Sequence, residues 1–329
     1  MKVLFIGGTG NISSAVSRLA INKGVELYHL NRGNRQVNIP GVNTIIGDIT
    51  KPATIGNELT QHTWDAVVDW IAFEEHDIER DLKLFRNKTK QYIFISSASV
   101  YQKPLAYPVI TESTPQCNPF SEYARNKIAC EDRLHKAYRD ESFPITIVRP
   151  SHTYDTYIPI PFGGGSEYTV VDRIIKGQKI ISHGDGKSLW THTHADDFAK
   201  GFLGLVGNNY ALGNTFHITS DEILNWDQIY NTIAEAAGKK ANIIHIPSDF
   251  ICTCEPSLTG TLIGDKCESV IFDNSKIKRF VPEYKASISF KEGMQRTLAW
   301  FDAHPDKKII RKETNEMIDK IIGMYEKGR

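Results

Sequence analysis

Short apolar runs and longer amphipathic stretches alternate along the first half of the chain. Residues 3–6, Val-Leu-Phe-Ile, are apolar at every position, as a strand buried on both faces of a parallel sheet must be. The glycine-rich stretch Gly7-Gly8-Thr9-Gly10 follows. Ile12, Val16, Leu19 and Ala20 then recur at helical spacing until Gly24 supplies a stop. The unit repeats: residues 25–30, 44–46, 65–72 and 92–95 read as strands, with helical patterns at about 52–60 and 75–88 between them. A helix over 121–138 leads to a sixth strand ending at Val148-Arg149-Pro150. Strands alternating with helices predict an α/β protein, a parallel sheet wound on both faces.

Beyond Phe162 the pattern loosens. Phe162-Gly163-Gly164-Gly165-Ser166 reads as a flexible lid or linker, since no apolar strand leads into it. A helix near 167–176, a strand at 179–182, a turn at 183–186, a helix at 226–237, a strand at 243–246 and a final amphipathic helix at 311–326 follow. No internal repeat or low-complexity segment is visible.

Composition then removes whole classes of function. The 329 residues carry 39 basic and 39 acidic side chains, so 39 − 39 leaves no net charge, and 40% are hydrophobic. Such a chain is too apolar and too neutral to be disordered. It has no apolar run of about 18–20 residues to span a membrane, and no basic excess for a sequence-independent grip on nucleic acid. Residues 3–6 are too short for the apolar region of a signal peptide. Five cysteines without framework spacing fit a reducing compartment, and the expected location is cytoplasmic. Cys252-x-Cys254 lacks a matching pair and His192-x-His194 has no further ligand nearby, so no metal is expected.

The glycine turn carries the first chemistry. Between a strand and a helix, Gly7 permits a sharp turn and Gly10 a close backbone approach, while the helix start offers free N–H groups to a pyrophosphate. The third small position is Ser13 rather than glycine, which should loosen helix–strand packing slightly. The second strand ends in Asn31-Arg32-Gly33-Asn34-Arg35. No acid stands there to hold a ribose, whereas Arg32 and Arg35 could grip a 2′-phosphate, so NADP is favoured over NAD.

Further motifs follow in order: Ser96-Ser97-Ala98-Ser99-Val100-Tyr101 after the fifth strand, Thr111-Glu112-Ser113-Thr114-Pro115, and Tyr123-x-x-x-Lys127, whose members share one helix face. Then come Val148-Arg149-Pro150 with Tyr154, His194-x-Asp196-Asp197, Phe272-Asp273-Asn274-Ser275-Lys276, and Glu292-Gly293 leading to Trp300. In this order the chain resembles the extended short-chain dehydrogenases/reductases, the NAD-dependent epimerase/dehydratase family. Asp155 in place of an expected glycine, and Asn31-Arg32-Gly33, resemble its atypical branches. Among those are the chloroplast stem-loop RNA-binding proteins, which leaves a regulatory or RNA-binding role as the alternative.

The resemblance implies a Rossmann-type cofactor domain over 1–162, with segments around 191–222 returning to it. A smaller, discontinuous substrate lobe would comprise 163–190 and 223–329. It implies Tyr123 as proton-transfer residue, its phenolate favoured by Lys127 and the nicotinamide ring, with Ser97 on the substrate oxygen. Cofactor contacts would come from Gly7, Thr9, Gly10, Asn11, Ile12, Asn31, Arg32, Arg35, Asp48, Ile49, Ile71, Ala72, Ser96, Lys127, Pro150 and Thr153. Substrate contacts would come from Ser97, Ser99, Tyr154 and Trp190. Ala98 and Ser99 stand where dehydratases carry an acid pair, which disfavours 4,6-dehydration. Oxidation, reduction or epimerisation of a secondary alcohol on a sugar or nucleotide sugar is what the resemblance leaves. Trp190 occupies the position of a phosphate-pairing arginine. A homodimer packed through the helices near 75–88 and 121–140 is also implied.

Overall fold

The computed structural model describes residues 1–34, 37–55 and 58–328. Seven strands form one parallel sheet: β1 (Lys2–Ile6), β2 (Glu26–Asn31), β3 (Asn43–Ile46), β4 (Ala66–Asp69), β5 (Tyr92–Ile95), β6 (Ile145–Pro150) and β7 (Thr215–Ile218). Their spatial order is β7-β6-β5-β4-β1-β2-β3. The chain therefore reverses its winding direction at β1, and a doubly wound sheet opens a crevice for ligand beyond the carboxyl ends of its strands there.

The apolar runs form these strands because both faces are covered. Helices α1 (Asn11–Asn22) and α4 (Ala195–Leu205) seal one face, packing Val16, Phe198 and Phe202 against Val3, Phe5 and Val68. Helices α2 (Glu75–Phe85) and α3 (Glu122–Glu141) seal the other, with Leu82, Phe85 and Leu134 over Leu4, Ile6 and Phe94. Each fully buried side chain of this size contributes roughly 1.5–3 kcal/mol relative to exposure. A third apolar cluster, including Trp190, Trp226, Phe290 and Ile318, is built mainly from residues after 150. There Lys179–His183 pairs in parallel with Asn242–Ile246.

Several elements differ from the sequence reading. The strand expected at 65–72 stops at Asp69, because its carboxylate accepts the backbone N–H groups of Ile71 (2.6 Å) and Ala72 (2.8 Å) and turns the chain. The helix expected at 52–60 is a short turn at Pro52–Thr54 and a separate helix at Glu58–Gln61. The stretch 162–166 is a packed turn rather than a flexible lid. Ile158 and Gly165 exchange backbone hydrogen bonds of 3.0 and 2.7 Å, and Phe162 is buried. Among the described residues no helix is long and apolar enough to cross a membrane.

Candidate active site

The turn after β1 is built so that only glycine fits. Gly7 has φ +85°, a backbone side chains rarely adopt, and a Cβ on Gly8 would sit 2.4 Å from the His29 imidazole. Ser13 braces this turn. Its hydroxyl accepts from Gly10 N–H at 2.8 Å and donates to the Gly7 carbonyl at 3.1 Å. No side chain caps the start of α1 and no acid lies in its first turn, so the positive end of the helix faces the crevice unneutralised. Asn11 donates to the Thr153 carbonyl at 3.2 Å, while its Oδ1 is buried without a partner. An open helix start and an orphaned amide oxygen at one turn fit a bound dinucleotide.

From this turn a cleft of about 720 Å³ runs across the carboxyl ends of the strands. Of the expected cofactor residues, Gly7, Thr9, Gly10, Asn11, Ile12, Asn31, Arg32, Asp48, Ile49, Ile71, Ser96, Lys127 and Pro150 line it. Ala72 and Thr153 stand behind its wall, their carbonyls accepting from Lys127 and Asn11. Arg35 lies outside the described residues. Asp48 is held below the usual carboxylate range, chiefly by the Thr50 hydroxyl and N–H, with Arg32 adding attraction. Phe73 and Tyr157 also line the cleft. The reading missed both, although each lies within three residues of a position it named.

The expected catalytic side chains converge at the far end. Ser97 starts a short turn, its hydroxyl accepting from Ser99 N–H at 3.2 Å and from the Ser99 hydroxyl at 2.9 Å. Beneath it, Ser96 donates to Glu131, which is wholly buried and paired with Arg149 at 2.5 Å and with Gln116 at 2.8 Å. This ion pair ties β5, α3 and β6 together below Ser97. Ser121 caps α3 by accepting from Ala124 N–H at 3.3 Å, which sets Tyr123 on the first turn.

Lys127, one turn on, is 2% exposed. Its ammonium donates to the carbonyls of Ala72 (2.6 Å) and Ile95 (2.7 Å) and lies 4.6 Å from the centre of the Phe73 ring and 5.8 Å from that of Tyr123. Burial pushes its pKa down to about 8. Tyr123 remains 45% exposed on the cleft, yet loss of surrounding water holds its pKa above the ordinary phenol value, with the Ser97 hydroxyl acting the other way. The protein alone thus keeps Tyr123 neutral. The phenolate expected from sequence rests on Lys127 and a bound nicotinamide ring acting together, and the Lys127 ammonium stands one turn away to contribute its share.

A second cleft of about 490 Å³ opens on the same point, sharing Ser97, Tyr123, Pro150, Ser151 and Tyr157 with the first. Ser99 and Trp190 line it. Trp190 is nevertheless wall rather than a free plate: it is 3% exposed and packs on Trp226 with ring centres 5.7 Å apart. Tyr154 lines neither cleft, contrary to expectation. The strand His152–Tyr154 pairs with His192–His194 and turns Tyr154 into the core between His194 and Phe290. A Cβ on Gly293 would meet its hydroxyl at 1.9 Å. His192 Nε2–H donates to the Pro159 carbonyl (2.8 Å), and the ring is buried and neutral, its pKa pushed down to about 3. Among the described residues no cluster of His, Cys, Asp or Glu could hold a metal ion.

Comparison with known proteins places these features in context. Residues 80–218 match the NAD dependent epimerase/dehydratase family. A 2′-dehydrokanamycin reductase of Streptomyces kanamyceticus is 23% identical over 87% of this chain and 80% of its own length. The chloroplast stem-loop binding protein of 41 kDa b of Arabidopsis thaliana is 25% identical over 76% of this chain and 67% of its own length. The crystal structure of UDP-glucose 4-epimerase from Bifidobacterium longum, in complex with NAD+ and UDP, superposes over 93% of this chain and all of its own. Its TM-score is 0.74 at 18% identity, a likeness of fold.

Proposed function

We propose that this chain, whose residues 80–218 match the NAD dependent epimerase/dehydratase family, is a nicotinamide-dependent oxidoreductase or epimerase. It acts on a secondary alcohol, or the matching ketone, of a sugar-like substrate. The observation that carries the reading is the meeting of two clefts at Ser97 and Tyr123. A dinucleotide laid from the Gly7–Gly10 turn along the first cleft ends where the second begins. When bound, the nicotinamide cofactor supplies the site that takes or gives a hydride. Tyr123 moves the proton of the substrate oxygen and Ser97 positions that oxygen by hydrogen bonding. Lys127 anchors the far wall of the site through Ala72 and Ile95 and carries a buried cation beside the phenol. With the phenol held neutral, Tyr123 is poised as an acid, so reduction of a ketone needs no prior deprotonation. Oxidation of an alcohol needs the phenolate, and its rate should climb with pH.

NADP is the favoured cofactor, on the strength of Arg32 in the cleft and no acid at the end of β2. A homodimer through α2 and α3 and a division into a cofactor domain over 1–162 and a substrate lobe belong to the same reading.

The test follows nicotinamide absorbance and product isomers on a sugar panel for the wild type and Tyr123→Phe. Loss of general acid–base catalysis should lower kcat about 10²–10⁴-fold. Turnover by the variant at the wild-type rate refutes the assignment. Salt-dependent RNA retention with no redox change would instead favour the role named for the Arabidopsis relative.

A further inference from the structure

The second cleft has a charge pattern that bears on what the substrate can be, and the argument rests on the oxidoreductase reading above. Of its lining residues, Lys103, Lys266 and Asp265 are the ones that carry charge, and none is an arginine. Both lysines are already engaged. Lys266 pairs with Asp265 at 2.6 Å and stands 5.5 Å from the centre of the Trp190 ring. The Lys103 side chain is 2% exposed; its ammonium donates to the Asp265 carbonyl at 2.9 Å and pairs with Glu268 at 3.5 Å. Glu268 is fixed in turn by Leu105 N–H at 3.0 Å. His152, on the same wall, stays neutral, since burial holds its pKa well below the ordinary histidine value.

An anion entering here would have to break one of these pairs and would then face the carboxylate left behind. Asp265 acts at some distance as well, for it lies near enough to oppose ionisation of Tyr123. The remaining polar lining is mostly hydroxyl, from Ser97, Ser99, Ser121, Ser151, Ser257 and Thr261 beside the phenols of Tyr123 and Tyr157. Hydroxyls both donate and accept, and so match a polyol, whereas a diphosphate asks for cations and bidentate donors. Phe272 and Tyr157 supply apolar ring surface between them.

We propose that this cleft takes an uncharged, hydroxyl-rich sugar or glycoside without a diphosphate. Recognition is by hydroxyl–hydroxyl bonds, and the paired lysines hold the wall together rather than bind a phosphate. Nucleotide sugars are thereby excluded as preferred substrates.

The experiment measures binding to the full-length protein with oxidised nicotinamide cofactor present, read by intrinsic tryptophan fluorescence, since Trp190 forms part of the wall. The probes are UDP-glucose, glucose 1-phosphate and methyl glucoside, each at low and high salt. UDP-glucose should bind no tighter than the neutral glycoside, and the glycoside's affinity should change by less than about two-fold with salt. UDP-glucose binding about ten-fold or more tighter, and weakening steeply with salt, overturns the proposal while leaving the oxidoreductase reading intact. Asp265→Asn, which frees Lys266, should create the missing anion site and tighten UDP-glucose by about ten-fold relative to wild type. An unchanged affinity in that folded variant also counts against the proposal. Should no probe bind, and no sugar of either kind give a redox or isomer change, the oxidoreductase reading fails and this inference with it.

Discussion

Lys127 is the residue whose energetics can be worked furthest. Its pKa in the folded protein is about 8 against an ordinary 10.5, with burial as the dominant cause and the carboxylates of Asp69 and Glu131 partly offsetting it. Below pH 8 both folded and unfolded chains carry the proton, so the full cost of burying the charge is present. At about 1.4 kcal/mol per pKa unit this cost is about 3 kcal/mol. Between pH 8 and 10.5 the folded protein releases the proton while the unfolded chain keeps it, so stability rises with pH. Above 10.5 both are neutral and the cost is gone. Lys127→Met has no such dependence. It does strip the donor from the Ala72 and Ile95 carbonyls, at roughly 1–3 kcal/mol each, but that loss is the same at every pH. Urea unfolding of both proteins from neutral to alkaline pH gives a difference in which the other titrating groups cancel. Wild type should gain about 3 kcal/mol on the variant across the window. A flat difference, or one falling with pH, would show that Lys127 is not held as a costly buried cation.

Three further outcomes are expected. Glu131→Ala leaves Arg149 charged and 3% exposed without its partner, and should cost about 3–5 kcal/mol in denaturant unfolding, with Glu131→Gln milder. Gly8→Ala drives a methyl into the His29 ring, so the variant should bind reduced nicotinamide cofactor at least about ten-fold more weakly by fluorescence titration, even where it remains folded. Arg32→Ala should weaken NADP by roughly ten-fold, one charge-assisted contact, and leave NAD nearly untouched; equal losses for both would remove Arg32 as a 2′-phosphate reader.

What sequence could and could not reveal divides along a physical line. The buried parallel sheet was legible because each strand is apolar on both faces, a pattern that needs no tertiary knowledge. The glycine turn and the Tyr123–Lys127 face were legible because their spacing is fixed by local geometry. Tyr154 misled for the opposite reason. Its motif position suggested the site, but pairing with 192–194 decides which face a strand residue presents, and that pairing joins segments nearly forty residues apart. Ser13 likewise looked like a weakened glycine when taken by type; only the turn shows its hydroxyl bridging Gly10 and Gly7. The ionisation of Tyr123 is the deepest case. The sequence places a lysine one turn away, but not the two carbonyls from other elements that anchor its ammonium, nor the burial that raises the phenol's pKa in the protein by itself. The same non-locality governs the second cleft, where Lys103 and Lys266 would count as free cations along the chain. The fold presents acids to both, so that charge in the site is set by pairing rather than by composition.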